Sequence, residues 1–182
     1  MPSTQNTQDN LYRDAAAAYG AALGRMARAW ESDPDARQDL LQEMHLALWR
    51  SFSSFDGRCS LRTWVYRVAH NAAASYVQRI RRGKTTTLVS LEEVEASGES
   101  TSFAALPEAD YSVEHAQILE RLYVLIQKLN PLDRQVILLY LEGIDAASIG
   151  EVTGISSSYV ATKIHRIKAI LSDRFHKGGN HE

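Results

Sequence analysis

Cysteine is almost absent from this chain of 182 residues. Cys59 is the only one, which excludes an intramolecular disulfide and any zinc site built from several cysteines. The histidines show no ligand spacing with Cys59, and the sequence contains no glycine-rich phosphate loop. His70 could be imagined as a base for Cys59, but residues three helical turns apart cannot meet within one helix. We therefore expect no catalytic residues, no metal and no cofactor.

Long apolar runs are missing as well. No stretch of about eighteen apolar residues occurs, and the N-terminal segment MPSTQNTQDN lacks the charged-then-apolar pattern of a secretory signal. We therefore expect a cytoplasmic protein with no membrane segment of its own. The formal net charge of -2 argues against a general polyanion binder. A nucleic-acid role would need an uneven distribution of charge.

The charges are in fact very unevenly distributed. Acidic residues are absent from Gly57 to Ser90, a stretch that is rich in arginine, whereas basic residues are absent from Thr85 to Glu120, where acids are frequent. The centre of the acidic stretch, EASGESTSFAALPEADYS, has no sustained period and suits a flexible linker. We predict a first domain over residues 1–84, a flexible acidic linker over 85–112 and a second domain over 113–182.

Apolar residues in both predicted domains recur with helical spacing and show no strand alternation. In the first domain we expect a helix over about Leu11 to Trp30 and a second one after Asp35. Ser60 is a plausible N-cap for a third. The predicted buried line of the second helix is Leu41, Met44, Leu48 and Phe52, and that of the third is Leu61, Val65, Val68, Ala72 and Tyr76.

Four helices are predicted in the second domain, separated by Asn130-Pro131, Gly143 and Gly154. Their expected ranges are 113–129, 133–142, 146–152 and 156–175. The fold class is therefore all-α, with two small helical bundles joined by the linker.

The last two helices have the pattern of a helix-turn-helix, with Gly154 in the turn and Ile155 at the corner. The last helix buries Val160, Ile164, Ile167 and Leu171, and its other side carries hydroxyl and basic groups. Such groups suit phosphate and base-edge contacts in a major groove. The alternative is an αα-hairpin with a solvated polar face. The candidate DNA contacts are Ser157, Ser158, Thr162, Lys163, His165 and Arg166.

The helix after Ser60 combines a tryptophan, an asparagine and several arginines outside its buried line. Arginines can hold phosphates while Trp64 and Asn71 address an unstacked base, as on a surface that captures single-stranded nucleic acid. The alternative is that Trp64 belongs to the core. The residues outside the buried line are Arg62, Arg67, Asn71, Gln78 and Arg81, with Trp64 at the edge between the two faces.

Two blocks of the sequence resemble a known family. DARQDLLQEMHLALWRSFSSFDGRCSLRTWVYRVAHNAAASYVQRIRR resembles region 2 of the extracytoplasmic-function (ECF) sigma factors of bacterial RNA polymerase. LNPLDRQVILLYLEGIDAASIGEVTGISSSYVATKIHRIKAIL resembles region 4 of the same family. The residues that carry the resemblance are Asp39, Leu40, Gln42, Glu43, Trp49, Trp64, Ala69, Asn71, Leu129, Arg134 and Val136. The chain departs from the family pattern at Gln38, Ser75, Gln78, Gly150 and Ser158.

The resemblance implies a transcription initiation factor. The first domain would bind the clamp helices of core RNA polymerase through Asp39, Gln42 and Glu43. It would melt the promoter -10 element with Arg58, Arg62, Trp64, Arg67, Asn71, Arg79, Arg81 and Arg82. The second domain would read the -35 element as duplex and meet the polymerase flap, and the linker would lie in the polymerase cleft. The family also implies possible control by an anti-sigma factor.

Two other classes of protein remain as alternatives. A free-standing helix-turn-helix repressor or activator would explain the second domain. It would leave the acidic stripe of Asp39, Gln42 and Glu43, and the helix that contains Trp64, without a role. An enzyme with an appended DNA-binding module would need a polar pocket that the sequence does not indicate.

Overall fold

The computed structural model describes the backbone of residues 4–83 and 111–177, and the side chains of residues 7–80 and 115–176. Within these ranges the chain forms seven α-helices and one 3-10 turn, with no strand, so the all-α prediction is confirmed. The helices are α1 (Thr4–Trp30), α2 (Pro34–Ser51), α3 (Leu61–Gly83), α4 (Tyr111–Gln127), α5 (Pro131–Leu141), α6 (Ala146–Thr153) and α7 (Ser157–Lys177); the 3-10 turn is Phe52–Ser54. We call α1–α3 the N-terminal bundle and α4–α7 the C-terminal bundle.

Short polar side chains fix where several helices begin. Asp33 Oδ1 accepts the backbone N–H groups of Asp35 and Ala36 at the start of α2, and Asn130 caps α5 in the same way. The Ser60 hydroxyl accepts the N–H of Thr63 at 3.0 Å, as its predicted capping role requires. Each cap satisfies donors that have no partner in the first turn of a helix, worth about 1 kcal/mol.

Packing shifts the buried stripes of the N-terminal bundle from the predicted lines. On α2, Leu40 is fully buried and Leu41 is only partly buried. On α3, Val65 and Tyr76 are buried as predicted, but Leu61, Val68 and Ala72 are partly exposed. The buried face of α3 differs from the predicted line because both α1 and the C-terminal bundle pack on this helix. The residues that complete the buried face of α3 are Tyr66, Ala69, His70 and Ala73.

The predicted helices of the C-terminal bundle agree closely with the structure. Every end falls within two residues of the predicted one, and Gly154 adopts φ 77°, the left-handed conformation expected of a glycine in this turn. Val160, Ile167 and Leu171 are buried, and Ile164 is partly buried. The prediction succeeds because caps, breakers and one apolar stripe all indicate the same boundaries.

The two bundles pack against each other. Helix α1 contacts α4, and α3 contacts α5 and α6. A continuous cluster of buried apolar side chains runs through both bundles. The predicted linker, residues 85–112, lies outside the described residues except at its last two positions, which begin α4.

Candidate nucleic-acid interface

The turn between α6 and α7 is unusually close. Asp145 caps α6 by accepting the N–H groups of Ala147 and Ser148 at 3.0 Å each, and hydrogen bonds from Ser148 lower the pKa of Asp145. A side-chain carbon on Gly150 would lie 2.6 Å from the backbone oxygen of Ile155. Because glycine lacks this carbon, the backbone at Ile155 can pass directly over Gly150 of α6. The result is a compact helix-turn-helix with α7 as its second helix.

The predicted polar face of α7 is open to solvent. Ser157, Ser158, Thr162, His165 and Arg166 are all exposed. Because Val160, Ile167 and Leu171 hold the opposite side of the helix in the core, this face is fixed in orientation. A rigid helix that presents hydroxyl, imidazole and guanidinium groups from its N-terminal half can enter a major groove.

Tyr159 is a member of this surface that the sequence analysis missed. Its side chain is 50% exposed, in the first turn of α7, and the Ser156 hydroxyl accepts its backbone N–H at 3.3 Å. The spacing of three residues to Thr162 is the signal that could have identified it.

Lys163 is held differently from its neighbours on α7. Its ammonium pairs with Asp133 at 2.5 Å, both side chains are only 14% exposed, and the ammonium lies 5.1 Å from the centre of the Tyr159 ring. These contacts join α7 to the first turn of α5. A DNA contact by Lys163 remains a prediction that would have to compete with this pair.

The arginines predicted to hold a nucleic-acid strand are not equally available. Arg62 donates to the backbone oxygen of Glu142 at 2.6 Å, and Arg67 donates to that of Glu151 at 2.8 Å. Both acceptors belong to the C-terminal bundle. Arg58 is exposed and pairs with nearby Asp56 at 2.9 Å. The backbones of Arg81 and Arg82 belong to α3, but their side chains lie outside the described residues.

Trp64 is partly buried and supports the loop between α2 and α3. Its indole N–H donates to the Ser51 hydroxyl at 2.9 Å, and its ring centre lies 5.3 Å from that of Phe55. The ring therefore has a packing role, and its role in base capture remains a prediction. Asn71 is exposed on the same helix, about one turn after Arg67 and about two turns before Arg79.

The predicted acidic stripe lies on α2, away from its buried leucines. Asp39 and Gln42 are exposed, and Glu43 pairs with Arg79 at 2.5 Å across to α3. Burial, followed by the nearby charges of Asp39, Glu31 and Glu43, raises the pKa of Tyr76. The stripe is therefore an electronegative surface that borders the basic helix α3.

His70 is the most buried titratable side chain of the N-terminal bundle. Neither of its ring nitrogens has a hydrogen-bond partner among the described residues, and its ring centre lies 6.2 Å from that of Trp30. Burial lowers its pKa to about 3. With no hydrogen bond to the imidazole, the pairing with Cys59 that was considered above does not form. Among the described residues no group of acids, histidines and cysteine could hold a metal ion.

None of the described helices is both long and apolar enough to cross a membrane.

Comparison with protein families matches both bundles. The Sigma-70 region 2 family matches residues 16–83, and the Sigma-70, region 4 family matches residues 119–171. The two matches cover most of α1–α3 and of α4–α7 respectively, in the order found in the sequence.

Individual relatives agree with these matches. ECF RNA polymerase sigma factor SigW of Bacillus subtilis is 30% identical over 141 residues, which are 74% of this chain and 72% of SigW. ECF RNA polymerase sigma factor SigG of Mycobacterium tuberculosis is 36% identical over 62 residues, 34% of this chain, and the match spans only 17% of SigG. The solved structure of the sigma factor RpoE with the anti-sigma factor NepR from Bartonella quintana has a TM-score of 0.66 at 17% identity, over 91% of this chain and 96% of RpoE.

Proposed function

Because this chain belongs to the ECF RNA polymerase sigma factors of the sigma-70 family, we propose that it binds core RNA polymerase and directs promoter-specific initiation. The observation that carries the proposal is the exposed polar face of α7 on a rigid helix-turn-helix, in the same chain as a bundle with a basic helix and an acidic stripe. A free-standing repressor needs only the first of these features.

The C-terminal bundle would read the -35 element as duplex. The groups that would enter the major groove are those of Ser157, Ser158, Thr162, His165 and Arg166, all exposed on one face. Tyr159 extends the surface at its N-terminal edge and would contact the sugar-phosphate backbone through its hydroxyl. We also propose that this bundle meets the polymerase flap.

The N-terminal bundle would capture the melted -10 strand. Asn71 offers both a donor and acceptors to a base edge, and the partly exposed Trp64 ring would offer a stacking surface. Arg79, Arg81 and Arg82, at the far end of α3, would hold phosphates. Arg58 would do the same from the adjoining loop.

The acidic stripe of Asp39, Gln42 and Glu43 would bind a basic surface of the polymerase, the clamp helices. Its exposure favours this, since the residues do not contribute to the core of the bundle. The pair between Glu43 and Arg79 would couple the polymerase contact to the -10 surface.

Control by an anti-sigma factor is part of the proposal, since RpoE, which has the same fold, is the partner of an anti-sigma factor. The chain would work in the cytoplasm, where polymerase and promoter DNA are found. It would catalyse no reaction itself, because phosphodiester formation belongs to the polymerase.

Transcription of genomic DNA tests the proposal without knowledge of the promoter. Fragmented DNA of the source bacterium is transcribed by purified core polymerase with and without the chain, and the 5′ ends of the transcripts are sequenced. We expect discrete start sites that require the chain and share two upstream sequence elements. Specific DNA binding without new start sites would instead identify a repressor or activator.

A further inference from the structure

A cavity of about 190 Å³ lies between the two bundles, and its wall is mostly apolar. Helices α1 and α3 form one side of it, and α4 and α5 form the other. A cavity of about 150 Å³ with an apolar wall is enough to hold a benzene molecule. This cavity is therefore large enough for a small ring system. The apolar side chains in its wall include those of Ala22, Met26, Leu122, Ile126 and Leu138.

His70 is a buried polar side chain in the wall of this cavity. It is only 1% exposed, and neither ring nitrogen has a hydrogen-bond partner within the described part of the chain. Burial lowers the pKa of His70 to about 3, so the ring is neutral at pH 7 and offers one N–H donor and one acceptor nitrogen. Buried polar groups in folded proteins nearly always have a partner. A molecule in the cavity with one hydrogen-bonding group would supply it.

The charged groups at the cavity are paired with each other. Arg25 Nε and Nη2 donate to the two carboxylate oxygens of Glu142 at 2.7 Å each, and the Tyr66 hydroxyl donates to the same carboxylate at 3.3 Å. Burial, followed by the charge of Glu142, raises the pKa of Tyr66 to about 12, so this phenol is neutral as well. A charged ligand would have to compete with the ion pair, whereas a neutral ligand would not. The wall therefore favours a neutral ligand.

Two leucines connect the cavity with the protein surface. Leu119 and Leu141 both line it, and they are 51% and 54% exposed. Large apolar residues that are exposed beside a concave surface are typical of binding grooves. Tyr66 and Tyr123 add aromatic rings to the wall, and such rings favour edge-to-face or offset contacts with another ring. The wall therefore suits a flat aromatic ligand that enters beside the two leucines.

We propose that this cavity is a binding site for a small, neutral, aromatic molecule with one hydrogen-bonding group, of about the size of indole or phenol. His70 binds the polar group, Tyr66 and Tyr123 pack against the ring, and the flexible side chain of Met26 adapts to its shape. The inference goes beyond the proposed function and does not depend on it, because neither polymerase nor DNA takes part.

NMR of the methionine methyl groups tests the site without a substitution in its wall. The chain has three methionines, of which Met26 lines the cavity and Met44 belongs to α2, which is not among the helices that line it. The full chain with ¹³C-labelled methionine methyl groups is titrated with indole, and Met26→Leu assigns the signal. We expect the Met26 signal to shift and saturate, with a Kd on the order of 1 mM or tighter, and the Met44 signal to stay in place. An unmoved Met26 signal, or equal shifts of both signals, would overturn the proposal.

Indene is the matched control ligand, because it has the same fused rings as indole but no N–H group. His70→Phe keeps a ring at this position and removes both nitrogens. Since one hydrogen bond inside a protein gives about a tenfold preference, we expect the ratio of indole to indene affinity to be about tenfold lower in His70→Phe than in the wild type. An unchanged ratio would refute the role of His70. Benzoate, which is charged, should shift Met26 far less than indole does, and equal binding would refute a site for neutral molecules.

A substitution in the wall locates the site independently. Ala22→Leu places a larger side chain at the cavity and should weaken indole binding by about tenfold or more, because a close-packed interior offers the ring no other room. The matched control is Ala18→Leu, the same change one turn earlier on α1 at an exposed position, which should bind indole as the wild type does. Circular dichroism melting establishes that each variant is folded, and the Met26 signal decides if Ala22→Leu is not. Equal binding by Ala22→Leu and the wild type would place indole elsewhere and overturn the proposal.

Discussion

The two candidate DNA surfaces of this protein differ in what surrounds them. The face of α7 is open to solvent along its N-terminal half, whereas Arg62 and Arg67 on α3 donate to backbone oxygens of the C-terminal bundle. Both helices carry the residue types expected of a nucleic-acid surface. The difference teaches that the guanidinium groups of a basic helix can already be engaged in the free protein, because they also donate to carbonyl oxygens elsewhere in the fold.

The largest effect is expected where the N-terminal bundle meets the polymerase. Asp39→Lys with Glu43→Lys should abolish assembly with core polymerase, because each carboxylate that pairs with a basic partner surface contributes about 2 to 5 kcal/mol and reversal adds repulsion. In the free protein the only loss is the exposed pair of Glu43 and Arg79, worth about 0 to 1 kcal/mol. Co-purification with core polymerase measures the first effect, and thermal melting measures the second.

Asp14→Lys is the control for this experiment, since Asp14 is an exposed acid that belongs to α1 and not to α2. It should leave both polymerase assembly and melting unchanged. If the double variant still forms a transcribing complex, polymerase binds another surface of the protein, and the acidic stripe is not its contact.

Substitution of a helical glycine by alanine is expected to have opposite effects on stability in the two bundles. Gly150→Ala in α6 should destabilise the protein by about 1 to 3 kcal/mol, because the new methyl group would meet the Ile155 backbone oxygen at 2.6 Å. Gly24→Ala in α1 should stabilise it by about 0.5 to 1 kcal/mol, since nothing lies within 4 Å and alanine loses less entropy in a helix. Urea unfolding midpoints report both changes. A shift of the same sign in the two variants would contradict this reading of the turn.

His70 makes the free energy of unfolding of the protein depend on pH. Its pKa is about 3 in the folded state, against an ordinary value of 6.5, so below pH 6.5 the unfolded chain binds a proton that the folded chain does not. Stability therefore falls as pH decreases, by about 2 kcal/mol between pH 7 and pH 5. His70→Phe, which keeps a ring beside Trp30, should remove this part of the loss in urea unfolding at the two pH values.

The same dependence can sharpen the comparison of the bundles. His70 lines the cavity between them, so separation of the bundles would give it access to water. We expect a smaller pH dependence in Glu142→Ala, which removes the ion pair between Arg25 of α1 and Glu142, than in the wild type. An equal dependence would mean that the N-terminal bundle alone buries His70.

The smallest effect distinguishes two basic residues of α7. Arg166→Ala should reduce the slope of log affinity against log salt for promoter duplex by about 0.9, the value for one lost phosphate contact. Lys163→Ala should lower stability, because Asp133 loses its partner at a site that is 14% exposed, and its slope shows whether the predicted DNA contact forms. Fluorescence anisotropy at several salt concentrations measures the slopes. A reduced slope for Lys163→Ala would show that the ion pair breaks when DNA binds.

The C-terminal bundle could be predicted almost completely from the sequence. Asn130-Pro131, Asp145 and Gly154 are local signals, and each acts on the backbone within a few residues of itself. The polar face of α7 follows from the same helical period as its apolar face. Tyr159 was not predicted as part of this face because an aromatic ring does not by itself indicate an exposed position.

The N-terminal bundle was predicted less well, for a physical reason. Leu40 and Leu41 both continue an apolar line with Met44 and Leu48 at three- or four-residue steps, so periodicity alone cannot choose between them. The choice depends on the direction from which α1 and α3 pack on α2. The burial of Tyr66 and His70 likewise depends on helices that lie far away in the sequence.

The sequence by itself determined the all-α class, most helix boundaries and the family, because these depend on caps, breakers and apolar periods that act over a few residues. Only the tertiary structure decided which charged groups are available. Arg62 and Arg67 bind backbone oxygens about 80 residues away, and Glu142 gathers Arg25, Arg62 and Tyr66 at one point. A backbone carbonyl is present at every position of the chain, so no pattern of side chains indicates which one a guanidinium will reach until the helices have packed.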